Sequence, residues 1–251
     1  MTYAQASTRP LHVLVFLLPL IVAYEIGSIV YLVDPSKNVM ETIAARSILS
    51  GVFEAFGALS FHLPAILLVV ILLLWHVLEK DPWRIKPKTI VAMGLESALW
   101  TLPLLVLGLL LLGGEPKTAM AIAQGADAVQ GGAHGVGHTI SSYPWQHRLT
   151  LSLGAGLYEE LLFRLILISA LHFVFSDVMK LPPLVAYAIP AVISAVAFAY
   201  YHANAGSTVL PGAVFLFYSI AGVYFAMLFV KRGFGVVVAT HALYDIVVLL
   251  A

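Results

Sequence analysis

The chain is 251 residues long, 61% hydrophobic and only 10% charged, with no cysteine and a formal net charge of zero. A soluble domain is nearer half apolar and a quarter charged, so this is the composition of a membrane protein. The balanced charge excludes a basic field for nucleic acid, and the absence of thiols excludes disulfides, thiolate metal sites, a cysteine nucleophile and thiol lipidation.

A helix needs roughly 20 mostly apolar residues to cross a bilayer. The first such run is Leu11–Val33, behind Arg9. It continues past Glu25 with no small-x-small cleavage site, so it reads as a retained span and not as a removed signal. In Val39–Leu59 apolar residues recur at helical spacing (Met40, Ile43, Val52, Phe56) between Glu41, Arg46 and Glu54. That pattern predicts an amphipathic helix, interfacial or re-entrant. Leu63–Leu78 is the second span, and "EKDPWRIKPK" (Glu79–Lys88) is a polar loop. Ile90–Leu112, carrying Glu96, is the third span. Gly113–His147 is rich in Gly, Ala and His and reads as an extramembrane loop with a short helix at Pro116–Val129. Four more spans follow: Leu149–Phe175, Leu184–Tyr201, Leu210–Val230 and Val236–Ala251.

The expectation is an all-α polytopic bundle of about seven transmembrane helices plus the amphipathic segment, with a polar site inside. Residues 1–147 hold the N-terminal spans and the long loop, and residues 148–251 form a second half, the two making one integrated membrane domain. With the N-terminus inside, inside segments hold Arg9, Lys80, Arg84, Lys86, Lys88, Lys180, Lys231 and Arg232, against Lys37, Arg46, Lys117 and Arg148 outside. That eight-to-four bias favours a cytoplasmic N-terminus.

The costly residues lie in "GLYEELLFRLILIS" (Gly156–Ser169). Glu160 and Arg164, four apart, share a helix face and can pair. Glu159 sits about 100° around the helix and cannot use the same partner. A buried charge without a partner is expensive, so Glu159 should face water, a second ionisable group or a substrate. Two other apolar helices carry polar groups. His202 follows Phe198 by four residues, with Asn204 near, and His241 precedes Asp245 by four. Glu159 is eleven residues after Arg148 and His241 ten before Ala251, which puts both roughly 15 Å below one face at about 1.5 Å per residue. His202 comes out shallower unless its helix continues toward Pro211.

Together, "EELLFR" (Glu159–Arg164), "FAYYH" (Phe198–His202) and "HALYD" (His241–Asp245) resemble the CAAX protease and bacteriocin-processing (CPBP) family, also called the Abi family. Its marks are Glu-Glu-x-x-x-Arg, Phe-x-x-x-His and His-x-x-x-Asn or Asp, each on its own span, and the resemblance covers about Leu149 to the end. It implies a glutamate-type intramembrane endopeptidase, integral to a bacterial inner or plasma membrane, acting on a membrane-embedded or lipidated peptide. Glu159 would activate a water, and His202 would hold and polarise it. His241, with Asp245, would stabilise the oxyanion, while Glu160 and Arg164 would pair and orient the site. Two positions depart from the commonest form. Asp245 stands where some members have an amide that can donate, and Leu165 stands where many have Gly.

One Glu and two His could also bind zinc with an open position, which makes Glu159, His202 and His241 the candidate ligands. No His-Glu-x-x-His is present, and the metal-free reading is the expectation. His134, His138 and His147 read as part of a solvated loop. Two other functions compete: a non-catalytic scaffold or immunity protein of the same fold, and a proton-coupled transporter using Glu25, Glu54 and Glu96.

Overall fold

A computed structural model describes residues 2–34, 39–40, 43–57, 62–112, 143–204 and 212–250. A short helix α1 (Tyr3–Ser7), closed by a capping box at Thr2, precedes α2 (Pro10–Tyr31), which starts with proline in its first turn. There the missing N–H costs nothing and the fixed φ suits the helix. Then come α3 (Ala44–Ala55), α4 (Leu63–Leu78), α5 (Pro87–Leu112), α6 (Trp145–Val178), α7 (Pro183–Asn204), α8 (Gly212–Arg232) and α9 (Phe234–Leu250). Gly233, at φ +83°, makes the turn between α8 and α9. A side chain would be strained there.

Among the described residues five helices are long and apolar enough to cross a membrane: α2, α5, α6, α7 and α8. The sequence led us to expect seven. The other two, α4 and α9, are apolar but only 16 and 17 residues long. At about 1.5 Å per residue they reach roughly 25 Å, short of the ~30 Å hydrocarbon layer. For α9 this fits its place in the bundle, since thirteen of its seventeen residues are buried and it packs on α2, α5, α6 and α8. On the outer helices the opposite holds. Leu95, Leu99, Leu102, Val106 and Leu109 of α5 are all exposed. A continuous apolar face of that kind belongs against lipid.

The amphipathic helix expected over Val39–Leu59 is shorter than that segment. Val39–Met40 pair as a two-residue strand with Val33–Asp34, and the helix runs only from Ala44 to Ala55. Twelve residues cannot span. Ile48, Val52 and Phe56 form an exposed apolar row, and Ala45, Arg46 and Leu49 are buried. Arg46, counted above as an outside surface charge, is 1% exposed. It donates to the Tyr24 hydroxyl at 2.9 Å and to Glu25 at 3.1 Å, and so pins α3 to α2. His147 is likewise not in a solvated loop. It lies buried in the first turn of α6, bonded to the Tyr31 carbonyl at 3.1 Å and stacked on Tyr143. The expected helix at Pro116–Val129, together with His134, His138, Lys37, Lys117 and the first residues of the Leu210–Val230 span, lies outside the described residues.

Two observations fix which ends meet. Arg148, at the start of α6, donates to the Leu249 carbonyl at the end of α9 at 2.6 Å. At the opposite end Arg9 pairs with Asp81 at 3.1 Å, and α1 is latched when Tyr3 donates to Glu96 at 2.5 Å. Burial and that carboxylate push the Tyr3 phenol up to about 12.

Candidate active site

The site is made where α6 and α9 touch. Gly156 permits the approach: a Cβ there would lie 2.7 Å from the Ala242 Cβ and 2.9 Å from the Val238 carbonyl oxygen. Only hydrogen fits, and the backbones close until Glu159 and Glu160 of α6 face His241 of α9. In this stretch α6 departs from regular α geometry, with i→i+5 turns over Ala155–Glu159 and Leu161–Ile168. Such turns are rare and recur at functional sites.

Glu160 and Arg164 pair at 3.0 Å, and neither is exposed at all. Arg164 also donates to the Gly222 carbonyl of α8 at 3.3 Å. Its guanidinium lies 4.3 Å from the Phe198 ring centre and 5.3 Å from that of Phe225. Gly222 is required here, because a Cβ would come 2.9 Å from the Ala195 carbonyl oxygen of α7. One arginine therefore ties α6, α7 and α8 together around the second carboxylate. Glu160 has a further partner that its sequence position did not announce. Its Oε1 lies 2.7 Å from His241 Nδ1.

That contact revises the expected role of Asp245. Asp245 was expected to stabilise the oxyanion together with His241; its Oδ2 is 3.6 Å from His241 Nε2, while Glu160 holds the other nitrogen at true hydrogen-bond length. Asp245 thus adds charge beside the ring's inner edge, and Glu160 sets the ring's orientation. His202 is oriented in the same way by the backbone: its Nδ1–H donates to the Phe198 carbonyl at 2.9 Å. The ring stacks on Tyr218 at 4.1 Å between centroids, and Phe198 lies 4.4 Å away. Phe198 thereby supports both His202 and Arg164.

Glu159 is 2% exposed, and its Oε2 lies 3.6 Å from His202 Nε2 and 3.8 Å from His241 Nε2. His202 is not shallower than the others. It sits at the depth of Glu159 although it is near the end of α7. Tyr201, which sequence reasoning passed over, accepts the Ala45 N–H of α3 at 2.9 Å and approaches Glu159 Oε1 at 3.5 Å. The short helix α3 is thus joined to the carboxylate through one hydroxyl. The polar groups surround a small cavity lined also by Leu104, Phe217, Tyr218, Ala221, Phe225 and Tyr244. About 20 Å³ is open there to the centre of a water molecule. A site of roughly 10–15 Å³ on that scale holds one water, so there is room for one and little more.

The chemistry follows from which atoms face inward. A carbonyl can only accept, so His202 carries its proton on Nδ1 and turns the Nε2 lone pair to the cavity when neutral. An ionised Glu160 does the same to His241. The inner wall then offers the carboxylates of Glu159 and Asp245 and two imidazole lone pairs, a set of acceptors around room for a single water. Among the described residues no three or more His, Cys, Asp or Glu side chains are arranged to hold a metal ion.

Residues 141–247 are Rce1-like. They match the family described as "Type II CAAX prenyl endopeptidase Rce1-like", the CAAX protease family that the three motifs resemble. The Rce1-like segment runs from just before α6 into the last turn of α9, so it contains Glu159, Glu160, Arg164, Phe198, His202, His241 and Asp245. No curated protein and no solved structure matches the chain.

The other acidic residues of the membrane helices are held elsewhere. Glu25 accepts from Arg46 and from the Tyr158 hydroxyl at 2.8 Å and meets His62 at 2.5 Å. Glu96 is clamped by Arg232, Tyr3 and the Trp100 indole. Glu54 is exposed on α3. Both Glu25 and Glu96 have an arginine partner, as structural ion pairs do.

Proposed function

We propose that this chain is an integral membrane endopeptidase of the glutamate type that hydrolyses a peptide bond in a prenylated, CAAX-like tail. One observation carries the reading: Glu159 stands within 3.8 Å of two inward-turned imidazoles beside a cavity sized for water. Water bound there donates one proton toward Glu159 Oε2 and the other toward His202 Nε2. As its oxygen attacks the carbonyl carbon, the proton passes to Glu159 and the C=O electron pair moves onto oxygen. Collapse breaks the C–N bond, and Glu159 returns the proton to the leaving nitrogen. A base in a desolvated site is effective near neutral pH, and the general-base step contributes roughly 10²–10⁴ in rate. The mechanism needs no metal.

With the chain read as seven helices alternating in direction, α4 and α9 being short crossings, the eight-to-four Lys and Arg bias supports a cytoplasmic N-terminus. The lipid bilayer and a lipid-anchored peptide are the partners. The test is turnover by purified protein in liposomes, using a farnesylated fluorogenic peptide ending in Cys-aliphatic-aliphatic-X. Cleavage that needs the farnesyl group supports the reading. Equal cleavage of the unprenylated peptide removes the substrate assignment, and no cleavage of either removes the function.

A further inference from the structure

Hydrolysis also needs a donor for the carbonyl oxygen as it becomes an oxyanion. The groups that line the cavity can be sorted by what they can donate. Glu159 and Asp245, when ionised, only accept. His202 has committed its N–H to Phe198, and His241 has committed its own to Glu160. Each neutral ring therefore presents a lone pair inward. An amide at position 245 would be a donor, but an aspartate stands there.

Two phenols in the lining, Tyr218 and Tyr244, have what these lack, and Tyr218 is engaged, with its ring stacked on His202. Tyr244 is 3% exposed, and its hydroxyl is buried with no hydrogen-bond partner among the described residues. A buried phenol normally finds a partner, and one left without costs stability, so the exception calls for a role. Three residues after His241 and next to Asp245, Tyr244 shares the face of α9 that meets Glu159. Its ring is stacked on Phe217 of α8 at 5.9 Å between centroids, which holds it in place. A phenol keeps its proton at neutral pH and donates without any change of charge.

We infer that Tyr244 is a catalytic residue whose hydroxyl donates to the oxyanion of the tetrahedral intermediate, the part an amide at position 245 would otherwise play. The inference rests on the hydrolytic function proposed above. Water supplies the attacking oxygen, Glu159 carries the proton, and the O–H of Tyr244 stays intact. It forms one hydrogen bond as negative charge grows on the carbonyl oxygen and loses it on collapse. The phenol has no partner in the resting site because its partner exists only during reaction.

The test compares wild type, Tyr244→Phe, Glu159→Gln and the double variant Tyr244→Phe/Asp245→Asn in liposomes with the farnesylated fluorogenic peptide. Binding is measured to the same peptide carrying a phosphinate at the scissile bond, whose charged oxygen imitates the oxyanion. Loss of one such donor lowers kcat by roughly 10²–10³. Tyr244→Phe is expected to show that loss with KM little changed, to weaken the phosphinate by a similar factor, and to melt no lower than wild type. The amide that Asp245→Asn adds is expected to recover about tenfold or more of the loss. A Tyr244→Phe protein that keeps kcat and phosphinate affinity within roughly threefold of wild type overturns the inference. So does an unrecovered double variant whose melting point matches wild type. Glu159→Gln separates the two ideas: full activity in that variant removes the proposed function, whereas an inactive Glu159→Gln beside an unaffected Tyr244→Phe removes only the donor. A wild type that neither cleaves the peptide nor binds the phosphinate overturns both.

Discussion

Glu160 Oε1 lies 2.7 Å from His241 Nδ1 and 3.0 Å from Arg164 Nη1. A single carboxylate oxygen thus holds a histidine of α9 and an arginine of its own helix, and Arg164 reaches on to α8. The neighbouring Glu159 takes no part in this and turns to the cavity. The two adjacent acids divide the work between structure and chemistry.

Removing either member of the structural pair should therefore destabilise the bundle. Glu160→Gln leaves the Arg164 charge buried, and Arg164→Leu leaves the Glu160 charge buried. Breaking a buried pair from one side costs about 3–5 kcal/mol. Thermal unfolding in detergent should show both variants melting well below wild type. Melting curves that overlay wild type would remove the structural role of the pair.

The contact of α6 with α9 depends on one hydrogen atom. In Gly156→Ala the new Cβ would meet the backbone nitrogen of Ala242 at 2.8 Å, so the helices must separate. Separation draws Glu159 and Glu160 away from His241. A misplacement near 1 Å can cost on the order of 10²-fold in rate. Turnover of Gly156→Ala should fall by at least about tenfold on that scale while the protein still inserts in the membrane. Wild-type turnover would mean that this close approach does not set the site.

Local spacing made part of this site legible. The pairing of Glu160 with Arg164 follows from the helical period, and Phe198 and His202 are one turn apart for the same reason. Which histidine nitrogen meets which acid was not legible, because it depends on the register of α6 against α9, set by Gly156 and Ala242. Asp245 looked like the partner of His241 by i,i+4 spacing, but a carboxylate 81 positions earlier in the chain holds the ring more closely. Arg46 and His147 looked solvent-facing because their neighbours are polar or small, whereas Glu25 and the Tyr31 carbonyl bury them. Tyr201 and Tyr244 were invisible among apolar neighbours, since a tyrosine in a membrane helix reads as packing until its hydroxyl is located. The span count differs for a similar reason: hydropathy does not distinguish a short central helix such as α9 from one of full crossing length.

A metal-free mechanism predicts insensitivity to chelation. Protein dialysed against a strong zinc chelator should keep its turnover of the farnesylated peptide, and its unfolding temperature should not move. Activity that disappears with the chelator and returns on addition of zinc would reassign Glu159, His202 and His241 as metal ligands.

The central claim is that Glu159 is the base and bears little of the fold's stability. The direct measurement is turnover and melting temperature on the same preparation of Glu159→Gln, beside Glu160→Gln. The account predicts that Glu159→Gln loses roughly 10²–10⁴ in kcat and melts at or above wild type, while Glu160→Gln melts lower. A Glu159→Gln protein that cleaves the peptide at near wild-type rate, or that loses activity only in step with its fold, would contradict it.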